Sequence, residues 1–117
     1  MNYQPYIDRL KKEKEKEKKL RANRRRRALE VAKELSTLLK NEFGAKKVYL
    51  FGSSLSNDTF YLHSDIDLGV EGIAPEKYLR ALYEVNALHH GFKVDLIDLE
   101  TCDDYLKRRI LTKGREL

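Results

Sequence analysis

Several residue types are scarce in this sequence, and each scarcity excludes a class of protein. Cys102 is the single cysteine among 117 residues, so the chain forms no intramolecular disulfide. No apolar run has the length of a signal-peptide core or a membrane span, which makes a cytoplasmic protein our expectation. The sequence contains neither an internal repeat nor a Ser/Gly-rich linker. With 41% apolar residues, we expect one domain with a single core and no second lobe.

Charge is distributed unevenly along the chain. Residues 9–27 hold 12 of the 24 Lys and Arg residues and 3 of the 19 Asp and Glu residues, a local balance of +9 that leaves −4 for the rest. Such a basic segment can engage nucleic acid, a membrane surface or an acidic partner. Its Lys-, Glu- and Arg-rich composition favours a solvated helix instead, since neither Pro nor Gly lies between Tyr6 and Phe43. We therefore divide the chain into a basic helical N-terminal arm, residues 1–27, and a folded domain, residues 28–117.

The folded domain alternates helix and strand patterns. Beyond Arg27 an apolar stripe at helical spacing predicts a helix that docks on a sheet and ends at Gly44; it comprises Leu29, Ala32, Leu35, Leu38 and Leu39, with Ala28 and Val31 at its edge. Pro75 opens a second helix through Leu79, Leu82, Val85 and Leu88. A third helix starts after Thr101 as its cap and ends at residues 113–115. Strand patterns at 47–51, 64–68 and 92–97 complete an α/β sandwich.

The first strand ends in a possible phosphate-binding turn. Gly52 follows the apolar run 47–51 and lets the backbone approach an anion closely. If residues 53–56 begin a helical turn, their amides and the Ser53 hydroxyl can cradle terminal phosphates. By itself, Gly-Ser after a strand is more often an ordinary turn. The acidic residues that follow favour the functional interpretation.

Three aspartates form the second part of the pattern. Asp65 and Asp67 alternate with Ile66 and Leu68, so a strand would place both carboxylates on one face. Two like charges at this spacing repel each other, whereas divalent cations that bridge nucleotide phosphates need such ligands. Asp95 interrupts the apolar strand 92–97; on a neighbouring strand it can complete the metal shell or take a proton from an attacking hydroxyl. The alternative for Asp95 is a strand-end carboxylate that faces water.

Together, Leu50-Phe51-Gly52-Ser53, Ser64-Asp65-Ile66-Asp67-Leu68 and Val94-Asp95-Leu96-Ile97 resemble the motifs of minimal nucleotidyltransferases in the DNA polymerase β superfamily. The resemblance extends from about residue 28 to the C-terminus and implies a mixed α/β palm with a short sheet packed by helices. It implies Mg²⁺-dependent transfer of a nucleoside monophosphate from a triphosphate such as ATP. Asp65, Asp67 and Asp95 would be the catalytic metal ligands. Gly52, Ser53 and Ser64 would bind the nucleotide.

The chain departs from that family after the Gly-Ser turn. Many members carry an Arg and a second Gly there, whereas residues 54–58 read Ser-Leu-Ser-Asn-Asp. The triphosphate contacts of that Arg would have to come from another basic residue or from a partner.

Proteins that resemble this one are commonly paired with a HEPN-domain RNase toxin, for which the transferase is the antitoxin. The resemblance therefore implies an adenylyltransferase that attaches AMP from ATP to a tyrosine of the toxin. Two other hypotheses stay open. A non-catalytic antitoxin would neutralise the toxin by binding and occlusion, and an RNA-binding role of residues 9–27 would make affinity fall steeply with salt.

Overall fold

A computed structural model describes residues 2–117 and shows a mixed four-stranded sheet with helices on both faces. In chain order the described elements are α1 (Gln4–Phe43), β1 (Lys47–Phe51), a 3₁₀ turn (Gly52–Leu55), β2 (Ile66–Glu71), α2 (Pro75–Ala87), β3 (Val94–Asp98), α3 (Asp104–Lys113) and β4 (Arg115–Glu116). The predicted α/β fold, with its long basic N-terminal helix, is confirmed.

The sheet has the strand order β3-β2-β1-β4. β1 lies antiparallel to both β2 and β4, whereas β2 and β3 run parallel, joined by α2 as a crossover helix. Parallel pairing brings the N-terminal ends of β2 and β3 to the same end of the sheet. Because β1 is antiparallel to β2, the C-terminal end of β1 lies there as well.

Helix α1 is continuous over 40 residues, which the absence of interior Pro and Gly permits. Residues 2–20 are exposed, residues 21–27 are partly buried or exposed, and Ala28 is the first buried residue. The buried stripe is Ala28, Val31, Ala32, Leu35, Ser36, Leu39 and Phe43. This stripe is rotated relative to the predicted one, because Leu29 and Leu38 pack only partly buried at its margin. As predicted, the helix ends at Gly44, which adopts a left-handed conformation with φ of 74°.

The main core lies between the sheet and helices α1 and α2. Alternate strand residues face it, including Val48, Leu50, Ile66, Leu68 and Val94. Helix α2 contributes Ala81 and Val85 to this core. The predicted apolar stripe of α2 was wrong at both ends: Leu79 is 76% exposed, and Leu88 is 52% exposed because the helix ends at Ala87.

Helix α3 covers the opposite face of the sheet. Its Ile110 packs with Tyr49 and Leu99 in a second, smaller cluster. Its N-cap is Asp103, whose carboxylate accepts hydrogen bonds from the amides of Tyr105 and Leu106 at 2.6 and 3.2 Å. The predicted cap Thr101 was wrong. β4 follows α3 directly and was not predicted at all.

Candidate active site

The three predicted aspartates lie near the start of β2 and β3, where the charges of Asp95 and Asp65 both act on Asp67. Asp67 and Asp95 occupy adjacent positions in the register of these parallel strands. Because Ile66, Leu68, Val94 and Leu96 face the main core, period-two alternation directs both carboxylates to the face that carries α3. The sequence pattern predicted Asp65 inside the strand, and this was wrong: Asp65 immediately precedes β2. The predicted neighbourhood of the two strands is confirmed.

These carboxylates lack compensating partners. Among residues 2–117, none of the three makes a side-chain hydrogen bond or a salt bridge. Burial, Asp95 and Asp65 together raise the pKa of Asp67 from 3.8 to about 6. A folded chain has little to gain from such an arrangement, so it indicates a site for positive charge.

The ligand atoms available at this site are carboxylate oxygens. Three carboxylates offer only oxygen ligands, which are the donors that Mg²⁺ prefers. In the described part of the chain, no group of three His, Cys, Asp or Glu side chains is positioned to hold a metal ion by itself. Mg²⁺ in phosphoryl transfer sites commonly takes only one or two carboxylates and completes its shell with water and phosphate oxygens. The residues therefore fit a cation that binds together with a nucleotide.

Gly52 brings the Gly-Ser turn against Asp67. Its φ of 78° favours glycine, and a Cβ at this position would lie 2.5 Å from Oδ2 of Asp67. The predicted helical turn is present as a short 3₁₀ turn that begins one residue earlier, at Gly52. Ser53 lies half-buried in this turn, and its hydroxyl makes no hydrogen bond to another described residue. Gly52 thus adjoins Asp67, and Ser53 follows it in the same turn. Their role in nucleotide binding stays a prediction.

Ser64 lies in the turn before Asp65. Its hydroxyl accepts a hydrogen bond from the Tyr61 amide at 2.8 Å, and its own amide donates to the Tyr61 carbonyl at 3.1 Å. These bonds give Ser64 a visible role in shaping the loop that delivers Asp65. Its role in nucleotide binding stays a prediction.

Arginines of α1 hold the loop that joins the Gly-Ser turn to the acidic strand. Arg25 donates to the carbonyls of Ser54 and Leu55 at 2.8 and 3.0 Å. Arg21 donates to the carbonyls of Asn57, Asp58 and Phe60 at 3.1 to 3.3 Å. Sequence reasoning missed this role, because Arg21 and Arg25 look like all other residues of the basic segment.

The edge strand β3 is fixed by α2. Asn86 accepts from the Val94 amide at 2.8 Å and donates to the Val94 carbonyl at 2.9 Å, and the Tyr78 hydroxyl donates to the Leu96 carbonyl. These side chains occupy the backbone groups of β3 that point away from β2. Asp95 lies between the two anchored residues. A polar Asn inside an amphipathic helix was the available signal, and sequence reasoning did not use it.

Two open clefts adjoin the acidic pair. A cleft of about 270 Å³ contains Asp67 and Asp95, and one of about 510 Å³ contains Gly52 and Ser53. Phe51 and Leu106 line both of them, so the clefts are neighbours on the α3 face. An extended ligand can therefore contact the acids and the Gly-Ser turn at once.

No helix within residues 2–117 combines the length and hydrophobicity needed to cross a membrane. None of the curated proteins matches the chain. Among solved structures, the chain is similar to tri-AMPylated Shewanella oneidensis HEPN toxin in complex with MNT antitoxin, with 22% identity and a TM-score of 0.58 over 76% of this chain and 70% of that chain. It is also similar to a toxin–antitoxin complex with AMP-PNP, with 23% identity and a TM-score of 0.55 over 79% of this chain and 70% of that chain.

A third likeness is to the toxin–antitoxin complex MntA-HepT, with 23% identity and a TM-score of 0.53 over 75% of this chain and 68% of that chain. At these identities the structures show a shared fold. The family model described as "Polymerase beta, Nucleotidyltransferase" matches residues 33–117, which include the Gly-Ser turn and all three aspartates. The chain therefore belongs to the polymerase beta nucleotidyltransferase family.

Proposed function

We propose that this protein is a Mg²⁺-dependent protein adenylyltransferase that transfers AMP from ATP to a tyrosine of a HEPN-domain RNase toxin and thereby acts as its antitoxin. The observation that carries the proposal is the uncompensated pair Asp67 and Asp95, in register on parallel strands with Gly52 packed against Asp67. Asp65 adds a third carboxylate at the same edge of the sheet.

The chemistry follows from this arrangement. The tyrosine oxygen attacks the α-phosphorus of ATP in line with the bond to the β-phosphate, that bond breaks, and pyrophosphate leaves. The phenolic proton passes to a carboxylate, for which Asp95 is our candidate, since a positioned carboxylate can act as general base. Asp65, Asp67 and Asp95 would hold Mg²⁺, which neutralises the charge of the phosphates. Gly52 and Ser53 bind the phosphate chain through backbone amides and the Ser53 hydroxyl.

Support for the nucleotide and the partner comes from proteins of the same fold. One of them was solved with AMP-PNP, and another accompanies an AMPylated HEPN toxin. Residues 28–117 form the sheet and the helices packed on it, and the cleft that contains Asp67 and Asp95 is open, so an acceptor on a partner protein can approach the acids from solvent.

The test is intact mass spectrometry of a HEPN-domain partner after incubation with the chain, Mg²⁺ and ATP. Wild-type protein should add the mass of one AMP group per modified tyrosine. The Asp65→Asn/Asp67→Asn variant should add none while it keeps the circular dichroism spectrum of the wild type. Equal transfer by wild type and variant would show that these aspartates are not the metal ligands.

A non-catalytic antitoxin is the second candidate. The outer face of α2 favours it, because Leu79 and Tyr83 are 76% and 72% exposed and form an apolar surface suited to protein contact. In that case the Asp65→Asn/Asp67→Asn variant would bind and inhibit the toxin as well as wild type does, with no change in toxin mass.

A further inference from the structure

The larger cleft beside the Gly-Ser turn has a basic wall, whose residues have no role in the function proposed above. Gly52 and Ser53 form one wall of this cleft, and α3 forms the other with Tyr105, Arg109 and Lys113. These three residues follow one another at intervals of four, so they lie in a row on one face of the helix. The cleft is about 510 Å³ in volume and open to solvent.

The two cations of this row are uncompensated. Neither the Arg109 guanidinium nor the Lys113 ammonium forms a salt bridge or a side-chain hydrogen bond with any residue from 2 to 117. Like charges four residues apart on a helix repel each other. Like the acidic pair, the basic wall is therefore a charge cluster that has no partner of opposite charge among residues 2–117.

The acidic pair and the basic wall lie in neighbouring clefts, and this indicates how a nucleotide can be oriented between them. The acidic cleft and the basic cleft share Phe51 and Leu106. A nucleotide whose α-phosphate lies at the aspartates can extend its β- and γ-phosphates between the Gly-Ser turn and α3. Arg and Lys are the side chains that pair with phosphate oxygens, Arg with two parallel hydrogen bonds and Lys as a point charge.

We infer that Arg109 and Lys113 bind the β- and γ-phosphates of the nucleoside triphosphate and supply, from α3, the positive charge that residues 54–58 lack. This inference rests on the proposed function for the placement of the α-phosphate. It makes α3 part of the nucleotide site instead of a purely structural helix, and it makes the site selective for triphosphates over monophosphates.

The experiment measures binding of ATP, AMP and inorganic tripolyphosphate by titration calorimetry, each with Mg²⁺ and the full chain. The test variant is Arg109→Gln/Lys113→Gln. The matched control is Arg108→Gln/Arg115→Gln, which removes the same charge from exposed residues outside the cleft. The test variant should bind ATP and tripolyphosphate about tenfold or more weakly than wild type does, whereas its affinity for AMP should change by about twofold or less. The control should bind ATP and tripolyphosphate within about twofold of wild type.

The outcomes separate this inference from the proposed function. Equal ATP and tripolyphosphate affinities for the test variant and the control would overturn the inference, even if the wild type transfers AMP. Selective loss in the test variant, together with a partner that gains no AMP mass, would support the inference and reject the proposed transfer. If wild-type protein binds neither ATP nor tripolyphosphate, both are wrong.

Discussion

At the scale of single residues, Asp67 has an unusual environment for a carboxylate. Burial and the charges of Asp95 and Asp65 raise its pKa to about 6, so the folded chain holds a proton that the unfolded chain releases near 3.8. Between these values the folded state binds more protons, and stability must fall as pH rises through this window. The carboxylate is therefore a stability cost at neutral pH, which a bound cation would offset.

We predict that Asp67→Asn stabilises the protein at pH 7.5 in the presence of EDTA. The full pKa difference corresponds to roughly 3 kcal/mol, and solvent screening of this half-exposed group reduces the expected gain to about 1 kcal/mol. At pH 4 the gain should largely vanish, because the native wild-type carboxyl is then already protonated. Urea denaturation of both proteins at the two pH values measures the difference. A variant no more stable than wild type at pH 7.5 would contradict the assigned environment of Asp67.

Gly52 offers a second test at this scale. Its positive φ alone makes an added side chain unfavourable, at a cost of about 1–3 kcal/mol. A methyl group would in addition displace the Asp67 carboxylate, since Oδ2 lies 2.5 Å from the ideal Cβ position. We predict that Gly52→Ala weakens Mg²⁺-dependent ATP binding in addition to lowering stability.

Gly44→Ala is the matched control for this substitution. Gly44 has nearly the same φ, 74°, but no atom of residues 2–117 lies within 4 Å of an added Cβ, apart from its chain neighbours and its own helix. It should lose a comparable stability in thermal unfolding and keep the ATP affinity of wild type in calorimetry. If the two variants bind ATP equally well, the contact between Gly52 and Asp67 has no functional consequence.

At the scale of elements, the basic helix α1 contacts the Gly-Ser turn. Arg25 hydrogen-bonds the carbonyls of Ser54 and Leu55, where the 3₁₀ turn ends, and the side-chain oxygen of Asn57 at 3.3 Å. Arg21 also stacks on Tyr61, with its guanidinium carbon 4.3 Å from the ring centroid. The loop after Gly-Ser is thus held from outside, by a helix that is distant in sequence.

We predict that Arg25→Ala lowers the free energy of unfolding by about 1–3 kcal/mol, since it leaves partly buried carbonyls without a donor. Amides of residues 53–60 should exchange with solvent faster. The control is Arg26→Ala, because Arg26 is exposed and its hydrogen bond goes to Asn23 on the same helix. Hydrogen exchange measured by mass spectrometry reports both variants. The same exchange pattern in both would show that Arg25 does not hold the turn.

The sequence predicts the elements that neighbouring residues determine, and it misses those that depend on contacts between distant parts of the chain. The run 47–51, the Gly-Ser turn and the acid-containing strands follow from period-two alternation and turn chemistry, which neighbouring residues determine. β4 has only two residues and forms because α3 returns the chain to β1, placing Arg115 opposite Leu50. No local pattern signals such a pairing. For the same reason Arg25 could not be told from Arg26 before the helix was packed on the domain.

At the scale of the whole molecule, the chain is elongated, with extents of 67 × 31 × 18 Å. A helix of 40 residues is roughly 60 Å long, so α1 accounts for the long dimension. Residues 4–20 are exposed on all sides, whereas from Ala28 to Phe43 one face of the helix is buried in the core and the other is exposed. One continuous helix therefore contains a solvated basic segment and a buried apolar one, held by different forces.

The boundary between these segments is open to measurement in the full chain. A helical segment of about 15 residues without tertiary contacts is marginally stable in water, and tertiary packing supplies most of the stability of helices in proteins. We predict that amides of residues 5–19 exchange within seconds, whereas those of residues 28–43 are protected to nearly the global stability.

Because Arg21 and Arg25 contact the folded domain, protection of the α1 amides from exchange should begin at about residue 21. The composition of the sequence had instead placed the boundary at residue 27. Arg21→Ala/Arg25→Ala should then shift the boundary back towards residue 27. Hydrogen exchange with peptide-level resolution across α1 distinguishes the two positions. Uniform protection along α1 would contradict the prediction and indicate that the basic segment is itself packed, against a second copy or another partner.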